Sequence, residues 1–242
     1  MSTGSAGSGS LSSERVGAAS VESGLGRQVV LWRHGRTAWN AERRFQGQLD
    51  VPLDSVGVAQ ARRAASLLAA MSPSAIVCSD LGRAADTAGA LADLVGLVPV
   101  VDPRLRETFG GSWQGLDRAE IEALAPGEFE AWLVGVDVRP GGGENRAEVA
   151  ERGVAAVLDA LADVPAGGVL VVATHGGTAR AVLGRMTGLP EEHWAALGGL
   201  SNCSWSVLGE ASPAAVSHGG SPWRLLEHNA GTLPEPVLGD DS

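Results

Sequence analysis

The chain has 242 residues, a net charge of −10 at pH 7 and a hydrophobic fraction of 44%, which is enough for one large domain with its own core. The acidic balance argues against nucleic acid or an anionic membrane as the main partner, because both need broad basic surfaces. All 18 basic residues are arginines. Schiff-base chemistry and a P-loop lysine are therefore excluded, whereas bidentate recognition of a phosphate is available.

The two cysteines and the lengths of the apolar runs indicate where in the cell the protein is located. Cys78 and Cys203 are far apart in the sequence and form neither a disulfide framework nor a zinc-binding pattern. No apolar run has the length of a membrane-spanning helix, and the N-terminus lacks the pattern of a signal peptide. We therefore expect a cytoplasmic protein.

Composition divides the chain into a central domain and two tails. Residues 1–26 are rich in Ser, Gly and Ala, cannot bury much apolar surface, and are expected to be a disordered tail. Residues 27–230 are predicted to form the folded domain. Residues 231–242 are expected to be a loose C-terminal tail.

Strand-like and helix-like segments alternate along the central domain. The first strand is predicted at 28–32, followed by a helix at 55–70, a strand at 75–78 and a helix at 83–94. The elements that follow are a strand at 98–101, helices at 118–124, 128–134 and 144–162, and strands at 169–173, 204–208 and 223–226. This alternation predicts an α/β fold, a three-layer α/β/α sandwich with a mostly parallel central sheet.

His34 and His175 each follow an apolar strand, and each is followed by glycine. Ligands of open α/β sheets bind at the carboxyl ends of the strands, so we expect the two imidazoles to face each other there. The glycines let a ligand and the backbone approach closely. A single histidine is more often structural than catalytic, but a matched pair favours a functional site.

Three arginines accompany these histidines. Arg33 and Arg36 flank His34, and Arg83 begins the helix after the second strand. Any one of them alone would be interpreted as a solvated surface charge. Together with an imidazole, they form the kind of cluster that holds a phosphoryl group.

Five ordered motifs resemble those of the histidine phosphatase superfamily, also called the phosphoglycerate mutase-like family. The motifs lie at residues 31–40, 46–53, 79–88, 105–115 and 174–177. Further stretches resemble the glucosyl-3-phosphoglycerate phosphatase type within this family, namely 45–50, 105–108, 113–116, 194–199 and 223–225. The chain departs from the family pattern at Gln114 and Asn145, outside the catalytic set.

The resemblance implies a metal-independent phosphomonoester hydrolase that acts through a phosphohistidine. His34 would attack phosphorus as a neutral imidazole whose other nitrogen is fixed by a backbone acceptor. Arg33, Arg83 and a charged His175 would hold the phosphoryl oxygens. Glu107 would protonate the leaving alkoxide and later accept a proton from water. Further candidates for contacts with the phosphate or the entry loop are Arg36, Thr37, Asn40, Gln46, Gly47 and Gly176.

The same resemblance implies no metal and no cofactor, because arginines and histidine supply the positive charge. The expected partner is a small phosphomonoester, such as glucosyl-3-phosphoglycerate or a related sugar or glycerate phosphate. A homodimer through a sheet edge or the late strands is also compatible with the resemblance.

Three alternatives stay open. A cofactor-dependent phosphoglycerate mutase shares the core residues, but such relatives carry a longer basic insertion, whereas residues 115–143 contain only Arg118 and Arg139 as cations. A non-catalytic phospho-ligand binding module would usually lack the nucleophile or the acid. A metal enzyme could use His34 and His175 as ligands, and would then need Asp80 or Glu107 as well.

Overall fold

The computed structural model describes Met1 and residues 26–231, so the two predicted tails lie almost entirely outside the described part. The strands are β1 (Gln28–Arg33), β2 (Ala75–Cys78), β3 (Val100–Val101), β4 (Val169–Thr174), β5 (Trp205–Glu210) and β6 (Trp223–Ala230). The helices are α1 (Ala38–Glu42), α2 (Ser55–Ala69), α3 (Gly82–Val95), α4 (Arg118–Leu124), α5 (Glu128–Leu133), α6 (Arg146–Leu161), α7 (Gly176–Thr187) and α8 (Pro213–Ser217).

The six strands form one sheet in the order β3-β2-β4-β1-β5-β6. Strands β1 to β4 run parallel to one another, whereas β5 pairs antiparallel with both β1 and β6. At the centre, Arg33 of β1 is in register with Thr174 of β4. His34 and His175 therefore leave the sheet side by side at its carboxyl edge.

Alternate residues of the central strands point to opposite faces of the sheet. Val29 and Leu31 pack with residues of α6 and α7 on one face. Val30 and Trp32 pack with residues of α2 and α3 on the other face. The predicted three-layer sandwich is confirmed, and each large buried side chain contributes about 1.5–3 kcal/mol to its stability.

Cys78 belongs to the core on the α2–α3 face of the sheet, where it is fully buried. Burial raises the pKa of its thiol to about 11, with a smaller contribution from the nearby charge of Asp80. The thiol is therefore neutral at physiological pH.

Several predicted boundaries differ from the structure; the last strand, predicted at 223–226, extends to Ala230, and two other differences have a clear physical cause. The strand predicted at 98–101 shrinks to Val100–Val101, because it lies at the sheet edge and Pro99 has no amide hydrogen for the ladder. The helix predicted from residue 144 begins at Arg146, since Asn145 caps it with its side chain. Short segments without periodicity, including α1, α8 and four 3-10 helices, had no prediction.

A separate group of aromatic side chains packs the segment between β3 and α6. This aromatic cluster consists of Phe45, Trp113, Ile121, Phe129 and Trp132. Phe45 and Trp113 meet edge to face, with ring centroids 5.8 Å apart, an arrangement that aromatic quadrupoles favour. The region that contains the two short helices predicted at 118–124 and 128–134 thus has a small core of its own.

Within the described residues, no helix combines the length and the apolar character needed to cross a bilayer.

Candidate active site

His34 and His175 meet at the carboxyl edge of the sheet, with ring centroids 5.1 Å apart. The His34 amide donates to the Thr174 carbonyl at 2.9 Å, and the Cys203 amide donates to the His34 carbonyl at 3.2 Å. Strand β4 and the loop before β5 therefore fix the backbone at His34. The expectation that the two imidazoles face each other is confirmed.

One nitrogen of the His34 ring is already engaged. Nδ1 lies 2.7 Å from the carbonyl oxygen of Gly35. A carbonyl only accepts, so Nδ1 carries the proton and Nε2 keeps its lone pair. Burial, followed by the charges of Arg83 and Arg33, holds the pKa of His34 well below its usual value. The ring is therefore neutral at pH 7, the form that can attack phosphorus.

Gly35 is required by backbone packing. A Cβ at this position would lie 2.5 Å from the carbonyl oxygen of Gly57 in the first turn of α2. The Gly35 amide also donates to the Thr87 hydroxyl of α3 at 3.0 Å. The loop that carries His34 is thus pressed between two helices, and this close contact explains the glycine better than ligand access does.

Arg83 is fully buried beside the two histidines. Its two terminal nitrogens donate to the carbonyls of Leu49 and Gly47, each at 2.7 Å. Burial lowers its pKa to about 10, so the guanidinium is still charged at pH 7. Its buried Nε has no hydrogen-bond partner in the described part of the chain, which leaves one donor for an anion.

Arg33 approaches the same edge from β1. Its Nη1 donates to the Leu200 carbonyl at 2.6 Å, and its side chain is almost completely buried. A Cβ on Gly176 would lie 3.5 Å from Arg33 Nε, so the guanidinium runs along the first turn of α7. Together Arg33 and Arg83 create a positive field at the imidazoles in an otherwise acidic chain.

His175 shares a hydrogen bond of 2.9 Å between its Nε2 and the buried hydroxyl of Ser79. Burial is the main reason that its pKa lies well below the usual value, and the charge of Arg83 adds to the effect. His175 is therefore neutral at pH 7 in this arrangement, and the charged form expected for it beside a phosphate stays a prediction. Its buried Nδ1 has no partner among residues 26–231.

Glu107 lies against the N-terminus of α7. Its Oε1 accepts hydrogen bonds from the amides of Thr108 and Thr178 at 2.8 and 3.1 Å, and its Oε2 accepts from Gly177 at 3.0 Å. A Cβ on Gly177 would lie 2.6 Å from Oε1, so only glycine permits this approach. The carboxyl group is held beside the histidines by backbone donors on two segments.

A partly buried arginine fixes the segment that carries Glu107. Arg152 of α6 donates to the carbonyls of Arg104, Arg106 and Glu107 at 2.8, 2.6 and 2.9 Å. It also forms an ion pair with Glu144 at 2.8 Å. We call Arg152 and Glu144 the clasp, because they gather three backbone carbonyls around one guanidinium.

Four of the predicted contact residues hold the His34 loop in place. Arg36 pairs with Asp54, the N-cap of α2, at 2.8 Å. Thr37 caps α1 together with Asn40, and its hydroxyl donates to Gln46 Oε1 at 3.0 Å. These contacts give Arg36, Thr37, Asn40 and Gln46 a supporting role. Their direct contact with phosphate stays a prediction.

Gly47 and Gly176 lie closer to the charged groups. Gly47 has a φ of +53° and presents its carbonyl to Arg83. Gly176 begins α7 next to Arg33. A Cβ at Gly47 would collide with Oε1 of Gln114, whereas a Cβ at Gly176 would only touch the Arg33 guanidinium.

Two residues of the site were missed by the sequence analysis. Ser79 directly follows β2, at the carboxyl edge that also carries the histidines, so its position was a usable signal. Asn202 donates to the His34 carbonyl at 3.1 Å and to Asn40 at 3.2 Å. It lies in the loop before β5, far along the chain, and no sequence pattern marks it.

Residues 29–229 match the family model of the Histidine phosphatase superfamily (branch 1). The chain belongs to this superfamily. A glucosyl-3-phosphoglycerate phosphatase from Mycobacterium tuberculosis strain H37Rv is 42% identical over 211 residues, which cover 84% of this chain and 95% of the relative. A probable phosphoglycerate mutase from Yersinia enterocolitica is 38% identical over 200 residues, covering 81% and 87% of the two chains.

The superfamily fold is also seen in solved structures. A mycobacterial glucosyl-3-phosphoglycerate phosphatase in complex with VO3 superposes with a TM-score of 0.78 at 42% identity, over 85% of this chain and 100% of that one. The predicted phosphoglycerate mutase-like fold and the predicted family are therefore confirmed. The chain is a phosphomonoester hydrolase, and the mutase alternative is the weaker one.

Proposed function

We propose that this phosphatase removes phosphate from a small phosphomonoester in two steps, with His34 as the nucleophile. The observation that carries the proposal is the orientation of His34, whose Nδ1 is tied to Gly35 and whose Nε2 keeps a lone pair. Two buried cations, Arg33 and Arg83, and the ring of His175 surround that nitrogen. Such an arrangement favours attack on an electron-poor phosphorus held by cations.

In the first step, Nε2 of His34 forms a bond to phosphorus while the bond between phosphorus and the ester oxygen breaks. Glu107 gives its proton to the departing alkoxide, so that a neutral alcohol leaves. The negative oxygens of the phosphoryl group are bound by Arg33 and by Arg83, whose buried Nε has no other partner in the described residues. His175 Nδ1 is a further candidate donor once a dianion raises its proton affinity.

In the second step, water attacks the phosphohistidine. Glu107, now a carboxylate, accepts the proton of that water as the phosphorus–nitrogen bond breaks, and inorganic phosphate leaves. The neutral imidazole of His34 and the protonated Glu107 are restored, so no proton is lost over the cycle. No step needs a metal ion or a cofactor.

The substrate we propose is glucosyl-3-phosphoglycerate or a related acidic sugar or glycerate phosphate. It is supported by the glucosyl-3-phosphoglycerate phosphatase at 42% identity and by the solved structure of a mycobacterial enzyme of that kind. A cytoplasmic location is part of the proposal, and it is supported by buried Cys78 and Cys203, which form no disulfide. A homodimer also stays a proposal.

A labelling experiment tests the covalent step. The protein is mixed with a phosphate-labelled substrate and quenched in alkali, which preserves phosphohistidine, and the labelled peptide is mapped. We expect the label on His34 and none in His34→Ala. Label on another residue, or turnover without any labelled intermediate, contradicts the mechanism.

Incubation with 3-phosphoglycerate separates the alternatives, because a phosphatase releases free phosphate and a mutase produces 2-phosphoglycerate.

A further inference from the structure

The ring of His175 is held by a serine at the end of the neighbouring strand. Ser79 directly follows β2, whose last residue, Cys78, is in register with Ala173 of β4. The Ser79 amide donates to the Ala173 carbonyl at 3.0 Å, so the sheet fixes the serine beside His175. Its hydroxyl oxygen lies 2.9 Å from Nε2 of the ring. Both side chains are fully buried, and each of their polar atoms therefore needs a partner within the site.

The contacts of Ser79 determine which of the two groups donates this hydrogen bond. The Ser79 oxygen already accepts a hydrogen bond from the Leu81 amide at 3.3 Å. In the described part of the chain, Nε2 of His175 is the one acceptor that this hydroxyl contacts. If Nε2 carried a proton and donated it, the hydroxyl hydrogen would be buried without an acceptor, which is costly. The hydroxyl therefore donates, and Nε2 accepts.

The proton of the neutral ring is then on Nδ1. Burial and the charge of Arg83 hold the pKa of His175 well below its usual value, so the ring carries one proton, and a nitrogen that accepts does not hold it. Nδ1 is buried and has no partner among residues 26–231. It belongs to a ring whose centre lies 5.1 Å from that of His34. A buried donor in this place is suited to an acceptor that a ligand brings.

A phosphoryl group supplies acceptors only. The oxygens of a phosphoryl dianion carry no proton, so an N–H group binds them and a lone pair repels them. In the opposite tautomer, Nδ1 of His175 would present its lone pair. The neutral ring can therefore donate to a phosphoryl oxygen from Nδ1 in one tautomer only, and this is the tautomer that the contacts of Ser79 select.

We propose that Ser79 is a positioning residue, whose hydroxyl holds His175 in the tautomer that presents its Nδ1–H to a phosphoryl oxygen. This inference rests on the proposed function and goes beyond it, because His175 then needs no second proton to bind the phosphoryl group. Ser79 acts through the ring alone and has no contact with the reacting atoms. Its loss should therefore change the place of a proton as well as the affinity for phosphate.

Nitrogen-15 NMR of protein labelled in its five histidines reads the tautomer, because protonated and unprotonated ring nitrogens resonate far apart. The signals of His175 are those that disappear in His175→Asn. At pH 7 we expect a protonated Nδ1 and an unprotonated Nε2 in the wild type. In Ser79→Ala the proton should no longer be confined to Nδ1. A wild-type spectrum with the proton on Nε2 would overturn the inference, whether or not any variant folds.

Binding of inorganic phosphate measures the consequence for the site. Ser79→Ala should weaken it by about 10-fold, the size of one charge-assisted hydrogen bond, and Ser79→Thr, which keeps the hydroxyl, should recover most of the loss. His175→Asn replaces the ring by an amide whose N–H does not depend on Ser79. In that background, Ser79→Ala should have almost no further effect on phosphate binding. Equal losses in the two backgrounds would contradict a role that acts through the ring.

Ser206→Ala is the matched control. Ser206 of β5 is also fully buried, and its hydroxyl lies 2.9 Å from Nδ1 of His228 on β6. Thermal unfolding should show a similar loss of stability in Ser206→Ala and Ser79→Ala, whereas phosphate binding should weaken only in Ser79→Ala. Equal losses of binding in the two folded variants, or none in Ser79→Ala, would overturn the inference.

The proposed function can fail separately from this inference. Neither the tautomer of His175 nor the affinity for inorganic phosphate requires a covalent step at His34. A wild type that shows the expected tautomer and the expected loss of binding in Ser79→Ala, but forms no phosphohistidine, supports the role of Ser79 and contradicts the proposed mechanism alone.

Discussion

On one side of the active site, His34 and His175 follow adjacent strands whose register places them side by side. On the other side, Glu107 lies in an irregular segment held by the clasp of Arg152 and Glu144 and backed by the aromatic cluster. On the first side, backbone hydrogen bonds of the sheet fix the imidazoles; on the second, the side chains of the clasp fix the segment, and backbone amides then hold the Glu107 carboxyl group. The groups that meet the phosphoryl group therefore depend on the fold, whereas the groups that meet the alcohol depend on individual side chains.

The largest expected effect comes from the sheet side. His34→Ala should lower kcat by at least about 10⁴-fold on every phosphomonoester, because removal of a nucleophile abolishes the covalent route. Phosphate release with an alkyl phosphate and with nitrophenyl phosphate measures it. The matched control is His193→Ala, since His193 is exposed. This variant should leave kcat unchanged on both substrates. A variant without His34 that still turns over at more than about a hundredth of the normal rate would contradict the proposed role.

For the side of the site that meets the leaving group, we expect an effect on kcat that depends on the substrate. Glu107→Gln keeps the shape of the side chain and removes the transferable proton. With alkyl phosphates the loss in kcat should be roughly 10²–10⁴-fold, the usual range for general acid catalysis. With nitrophenyl phosphate the loss should be much smaller, because that leaving group needs no proton. Equal losses on both substrates would falsify the role of Glu107.

Substitutions in the clasp should lower kcat with the same dependence on the leaving group as Glu107→Gln, but by a smaller factor. Arg152→Lys keeps the charge and loses the fork that binds three carbonyls at once, so Glu107 is held less well. We expect kcat to fall by about 10- to 100-fold on alkyl phosphates and to change little on nitrophenyl phosphate.

A double variant separates this positioning role from a general loss of structure. In the Glu107→Gln background, Arg152→Lys should have almost no further effect on kcat, because the two residues act through one function. Glu144→Gln should reproduce the Arg152→Lys result, since it weakens the same ion pair. Additive losses, or equal losses on the two substrate types, would show that the clasp does not act through Glu107.

The smallest expected effect concerns pH. Burial and nearby arginines hold the pKa values of His34 and His175 well below normal, so the folded chain binds fewer protons than the unfolded one below about pH 6.5. Their contribution to stability is complete above that pH and is lost as the pH falls. Each neutral histidine should lower the free energy of unfolding by up to about 1.4 kcal/mol per pH unit in that range.

Chemical denaturation between pH 5 and pH 7 measures this slope, and His34→Asn should make it shallower. A slope that is identical in the variant and the wild type would mean that His34 is already charged in the folded state. The lowered pKa of His34 also bears on activity, because attack needs the neutral ring and the ring stays neutral below pH 7. Formation of the phosphoenzyme should therefore not decline between pH 7 and pH 6.

The two sides also differ in how far the sequence predicts them. Apolar runs that end in His-Gly mark β1 and β4, and the carboxyl-edge rule then brings His34 and His175 together. The residues that hold Glu107 carry no comparable mark, since Arg152 lies within an ordinary amphipathic helix. Its partners are carbonyls 45 to 48 residues away, and backbone carbonyls are not visible in a sequence pattern.

Arg36 shows a limit of the same kind. Its place beside His34 in the sequence suggests a phosphate contact, which stays a prediction, whereas its ion pair with Asp54 at the start of α2 could not be predicted from the sequence. After a strand ends, neighbouring side chains can point in different directions, because the path of the loop and not the sheet sets their orientation. Arg83 is 49 positions from His34 in the sequence, yet its charge lowers the pKa of His34, whereas Arg36 is not among the causes of that shift.

The neutral, buried thiol of Cys78 has a consequence for the environment in which the enzyme can work. Phosphatases with a cysteine nucleophile expose a thiolate, which peroxide oxidises and alkylating reagents block. With His34 as the proposed nucleophile and both cysteines buried, this chain offers such reagents no thiolate at its reaction centre. We therefore expect its phosphatase activity to persist at peroxide concentrations that inactivate cysteine-dependent phosphatases in the same cell.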